Sequence, residues 1–180
     1  LGTSAIKNLS RILSIKSFDN NVVATSELTT RVTEGTTTIY VTVEVSSSIL
    51  LLPEVPMTGR LDNPRVGYFT NPLTNFSDGQ QRVNKKQFIT RWRLEPRPED
   101  RAAYLRGELV EPRKPIVFYI ENSTPYRWRK YIKQGIEDWQ VAFERAGFKN
   151  AIIAKDITED MEVDMDDVNY SVLTYAASTK

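Results

Sequence analysis

Two residue types are missing from this chain altogether: among its 180 residues there is no cysteine and no histidine. Without cysteine there is no disulfide, no thiolate nucleophile and no Cys-ligated zinc or iron–sulfur site. Without histidine, the usual general base near neutral pH and the commonest zinc ligand is gone. Ser-His-Asp triads, Cys-His pairs and H-E-x-x-H metal sites are therefore excluded within these residues. Charge of one sign is scarce too: 24 basic against 23 acidic residues leave a net +1, too little field to draw in nucleic acid or an anionic membrane. The most apolar run, Ile49–Leu52, ends at Pro53 and is far too short to span a bilayer. Leu1 opens the chain and no basic-then-apolar signal segment follows, so the expectation is a trimmed or mature piece.

What remains is ordinary globular material. An apolar fraction of 40% with 26% charged residues is enough to bury a core without staples. Residues 20–52 read as a long β-hairpin. Val22, Ala24, Ser26, Leu28, Thr30 and Val32 share one face of the first arm, and Ile39, Val41, Val43 and Val45 alternate along the second. Glu34-Gly35 supplies the turn, where glycine tolerates positive φ. Before it, Ile6, Leu9, Ile12 and Leu13 recur at helical spacing and predict a short helix over 6–15. Pro53, Pro56, Gly59 and Pro64 punctuate a connector. Beyond it, 65–70 and 87–95 read as strands, 96–115 as a charged connector with one helical turn at 100–106.

The clearest pattern begins at Pro115. Ile116-Val117-Phe118-Tyr119-Ile120 is a continuous apolar run, expected as a strand buried on both faces. Thr124 stands where an N-cap belongs and Pro125 where a first helical residue belongs. Trp128, Tyr131, Ile132, Ile136, Trp139 and Phe143 then trace one apolar stripe, and Gly147 closes the helix. That spacing predicts one long helix whose two tryptophans pack into a core. Strands are expected at 151–154 and 170–176, parallel to the first. The whole reads as α+β: an N-terminal β-hairpin-rich module over 1–60, strands and a charged connector over 61–114, and a mixed sheet with one long backing helix over 115–180.

Several of these segments carry a family resemblance. They are Asn63-Pro-Arg-Val-Gly-Tyr-Phe69, Arg91-Trp-Arg-Leu-Glu95, Pro115-Ile-Val-Phe-Tyr-Ile120, Tyr131-Ile-Lys-Gln-Gly-Ile-Glu-Asp-Trp139, residues 142–156 and Tyr170-Ser-Val172. In that order they resemble the region just upstream of the active site in large, exported, metzincin-like zinc metalloproteases of Bacteroidetes-type bacteria. Those proteins carry domains of unknown function ahead of the catalytic unit. The resemblance implies that 115–180 forms the start of a metzincin-like N-terminal subdomain. The zinc helix, H-E-x-x-H-x-x-G-x-x-H, would come later in the parent, so no catalytic and no metal residue is carried onto this chain. It further implies an exported location, zinc as the parent's cofactor but none in this chain, the rest of the catalytic domain as partner, and a protein or peptide substrate for the parent. The competing expectation is a stand-alone module that binds a protein or glycan without chemistry.

Within the chain, one segment concentrates carboxylates. Asp160, Glu162, Asp164 and Asp166 alternate in an oxygen-rich stretch that forms a candidate cation loop. An EF-hand needs Gly at its sixth position and Glu at its twelfth. Counting from Asp156 those places hold Met161 and Asp167, and from Asp160 they hold Met165 and Ser171, so the motif fails in both registers. A solvated loop is the default expectation. Residues 82–133 are basic, with Trp92 and Phe88 nearby, yet no nucleic-acid-binding motif accompanies the charge. Pairing with the acidic stretch after Gln134, or solvation, is expected instead of nucleic-acid binding.

Overall fold

The computed structural model describes residues 5–76, 78–79 and 81–177. They form an α+β protein whose elements run β1 (Arg11–Ser17), β2 (Asn21–Glu34), β3 (Thr37–Leu50), β4 (Thr70–Asn75), β5 (Asn84–Ile89), α1 (Arg101–Leu105), β6 (Ile116–Ile120), α2 (Tyr126–Glu137), α3 (Gln140–Arg145), β7 (Ile152–Asp156) and β8 (Ser171–Leu173). Contacts divide the chain into two compact units. One comprises Leu1–Leu52, Val117–Lys133 and Ala154–Lys180, the other Pro53–Ile116 and Gln134–Ile153.

The first unit is built on the antiparallel sheet β1-β2-β3. β2 and β3 pair without interruption from Asn21↔Leu50 to Glu34↔Thr37. That register leaves Gly35-Thr36 as a two-residue loop, one position on from the expected turn, with Gly35 at φ +61°. The ladder places Glu27 opposite Glu44, two like charges, while Glu27 also takes the Arg11 guanidinium at 3.3 Å.

The helix expected over 6–15 is absent. Only a 3₁₀ turn at Lys7–Leu9 forms, and Arg11–Ser17 is strand β1 paired with β2. The physical reason is a bulge. Register slips between Ile12 and Ser14, so the strand there departs from strict alternation, and the adjacent pair Ile12-Leu13 completes with Ile6 and Leu9 a spacing that imitates a helix.

A second sheet, β7-β6-β8, has β6 at its centre. β6 and β8 are parallel, with Phe118↔Ser171 and Ile120↔Leu173. Hydrogen bonds from Ile116 N–H to the Ala151 carbonyl and from Ile157 N–H to the Ile120 carbonyl ascend along both chains, the signature of a parallel β6–β7 pair. Ile116 and Ile120 are buried, whereas 117–119 are half-exposed, so burial on both faces holds at the strand's ends alone.

The expected long helix is two. α2 ends at Glu137 and α3 starts at Gln140. At the break the ladder tightens to a bond from Trp139 N–H to the Ile136 carbonyl, a 3₁₀ step. The turn brings the Gln140 carboxamide onto the backbone entering β7, where it accepts from Ala151 and Ile152 N–H at 3.1 and 3.3 Å. Trp128 and Trp139 are not core residues: they stay 45% and 65% exposed, and neither helix holds a buried residue. Thr124 does not cap α2 through its hydroxyl, because its Oγ1 is buried without a hydrogen-bond partner while Arg129 Nε donates to its carbonyl at 3.0 Å.

In the second unit, β4 and β5 form a two-stranded antiparallel hairpin. Strand structure starts at Thr70 rather than Arg65, since Asn63 Oδ1 accepts from Arg65 N–H and turns the chain, and Gly67 lies at φ +50°. β5 likewise ends at Ile89, short of the expected 95. The core gathers Val110, Phe148 and Ala151, with Leu94, Ala103, Tyr104 and Phe143 packed around them. Tyr104 stacks on Phe148 with ring centroids 5.0 Å apart, and its hydroxyl donates to the Ala146 carbonyl. Gly147 ends α3 in the left-handed region at φ +92°, and a Cβ there would meet the Tyr104 ring at 2.7 Å.

Two substitutions test these points. Gly147→Ala should cost roughly 1–3 kcal/mol, from backbone strain together with displacement of Tyr104, read as a lowered urea midpoint. Glu44→Lys should gain about 0.2–1 kcal/mol by turning the cross-strand repulsion with Glu27 into attraction.

Candidate functional site

The carboxylate loop is the one sequence-derived candidate, and β1 decides its arrangement. Lys16 extends from β1 to lie 3.0 Å from Asp164 Oδ2 and 2.7 Å from Asp166 Oδ2. The loop shapes itself for this: Asp164 Oδ1 accepts the Asp166 backbone N–H at 2.9 Å, a two-residue Asx turn that points both side chains the same way. That backbone hydrogen bond, and then the ammonium, hold the Asp164 carboxyl below its ordinary pKa. The two carboxylates in turn push the Lys16 ammonium up. Asp160 is engaged elsewhere, its carboxyl lowered by hydrogen bonds from Thr158 and from its own backbone.

Of the four candidate residues, then, Asp164 and Asp166 are brought together, and the cation they hold is a lysine. Among the described residues no group of three or more His, Cys, Asp or Glu side chains is placed to hold a metal ion.

Two asparagines that the sequence did not single out complete the attachment. Asn21, buried at the start of β2, donates from Nδ2 to the Asp166 carbonyl at 2.8 Å and to Ser48 Oγ at 3.1 Å, and accepts from Val168 N–H. Asn20 Nδ2 donates to Asn169 Oδ1. The contacts with Asp166, Val168 and Asn169 join residues more than 140 positions apart, and no local pattern announces them. The Asp19-Asn20-Asn21 run is legible as a turn and nothing more.

The basic stretch is partly neutralised as expected, though mostly by close neighbours. Arg93 pairs with Glu95, Arg97 with Glu111, and Arg106 with Glu108. Lys133 and Arg129 reach Asp156 in the acidic segment. No helix of the described residues is long and apolar enough to cross a membrane.

Residues 1–97 match the family described as domain of unknown function (DUF5117), which is more than half of the chain, and the chain belongs to that family. The matched stretch includes β1, β2 and β3, hence Lys16 and Asn21, and ends before the carboxylate loop. No curated protein and no solved structure matches the chain.

The Lys16 attachment carries a pH prediction. Asp164 has a depressed folded pKa, so its contribution is present above the unfolded value of about 4 and fades as pH falls through the folded one. Lys16 has a raised pKa, so its contribution is present below about 10.5 and fades as pH rises through the folded value. Protection factors for amide exchange at Asp166 and Val168, taken relative to the intrinsic rate at each pH, should be greatest between those limits, and Lys16→Met should remove the alkaline limb of that profile.

Proposed function

We propose that this chain is the non-catalytic front of an exported zinc metalloprotease, with β6, β7, β8 and the α2–α3 pair forming the upper sheet and backing helices of its catalytic unit. The observation that carries the reading is the parallel strand–helix–strand arrangement over 116–173. It is the order that a metzincin-like subdomain opens with, on segments that resemble that family. The exposed aromatic side chains of α2 and its end, Trp128, Tyr131 and Trp139, supply apolar surface for the remainder of the catalytic domain to cover.

Zinc does not fit the residues present here. The chain has no His or Cys, and the convergent carboxylates already hold an ammonium. On this reading the metal, the water-activating glutamate and the scissile-bond cleft come from elsewhere in the parent.

The test is elemental analysis and casein hydrolysis on this chain and on its full-length parent. The chain should carry no stoichiometric zinc and cleave nothing, while the parent should hold about one zinc per molecule and cleave casein. A parent without H-E-x-x-H, or an equivalent of zinc on this chain, sinks the proposal. In the first case the alternative, a module that binds a protein or glycan, takes its place. The long outer edge of β3, whose fourteen residues include one charge at Glu44 and no proline, favours that alternative by offering room for strand addition.

A further inference from the structure

The two faces of the β1-β2-β3 sheet differ in what covers them. Where Asn21, Val23 and Thr29 point, the chain packs against itself: Asn21 bonds the carboxylate loop, and Thr29 Oγ1 donates to the Leu9 carbonyl. Further along, that face carries Glu27, Arg31, Tyr40, Thr42, Glu44 and Ser46, suited to water.

The other face is apolar and largely uncovered, although Ser26 on it is buried and Leu28, Val41 and Val45 are half-buried. Strand alternation and the observed register put Ile12 and Ile15 of β1, Leu28 and Val32 of β2, and Ile39, Val43 and Ile49 of β3 on it together. Ile12 and Ile15 are each 64% exposed, Val43 45% and Ile49 69%. Apart from Glu34 at the hairpin end, none of the residues alternating onto this face is charged.

We propose that this face is a homodimer interface, covered in solution by the same face of a second copy. The dimensions allow it. Two strands of fourteen residues and one of seven, at about 3.4 Å per residue and about 4.8 Å apart, make a face on the order of 600 Å². Two such faces bury about 1,200 Å², the lower bound for a specific interface.

The chemistry selects a copy of itself over a charged partner. An uncharged face offers no attraction to an acidic or basic surface, and it meets its own image without repulsion. Small side chains at Ala24 and Ser47, paired across β2 and β3, interrupt the β-branched row on this face. A two-fold pairing of the face with itself is an aligned sheet-on-sheet packing, which a closed isologous dimer allows.

Sedimentation equilibrium from low micromolar to several hundred micromolar reads the association directly. The chain should dimerise, and Val43→Lys should raise the dissociation constant by at least about tenfold. Ile15→Lys should do the same from β1, and it carries the test if the β3 variant loses its far-UV circular dichroism. Glu44→Lys, on the opposite face, should leave the dimer intact. A chain monomeric at every concentration overturns the proposal. Equal weakening by Glu44→Lys overturns it too, since association would then run through the strand edge. A monomer that floats with phosphatidylcholine vesicles overturns it in favour of a lipid surface.

Discussion

The in-register ladder between β2 and β3 is the constraint on which the first unit depends. Fourteen cross-strand pairs run from Asn21↔Leu50 to the Gly35 turn, and a slip of one residue would exchange the two faces. That exchange would take Asn21 away from the Asp166 carbonyl and place the Val–Ile face against the carboxylate loop. β1 adds to the same ladder and so aims Lys16. A turn conformation set by one glycine therefore governs contacts with residues near the other end of the chain.

The contacts that attach the loop differ in kind. Lys16 with Asp164 and Asp166 is a partly exposed ion pair, and such pairs contribute little because water screens them. Asn21 is a different matter. It is buried, and its carboxamide satisfies a carbonyl, an amide and a hydroxyl. Breaking that set leaves several polar groups unpaired at once, and an unpaired buried group costs more than a hydrogen bond gains. Position is thus held chiefly by the asparagine, while the lysine neutralises the carboxylates. Two members of an acidic cluster of promising spacing thus serve as an attachment point for β1.

The second unit is organised around an intimate contact instead of a ladder. Tyr104 lies over Gly147 and stacks on Phe148, while Val110 bridges to Gly147 and Lys149 through backbone hydrogen bonds. Only a residue without a Cβ, comfortable at φ +92°, lets the ring approach so closely. The glycine serves both as helix terminator and as floor of the small core.

The sequence by itself determined the hairpin, the buried ends of β6, the parallel partners of that strand and the glycine after α3. Each depends on short-range chemistry: β-branched alternation, a continuous apolar run, or a position requiring positive φ. It misled where two local patterns coincide. The bulge in β1 accommodates the adjacent pair Ile12-Leu13, which with Ile6 and Leu9 makes a spacing that also suits a helix. The tryptophans fall on an apolar stripe, but a stripe shows amphipathicity and does not reveal what covers it. Tertiary structure alone decided that Trp128 and Trp139 stay exposed, that Lys16 occupies the carboxylates, and that the apolar face of the hairpin sheet is the open one. Those outcomes depend on pairings across more than a hundred residues, which chain closure selects and no local window contains.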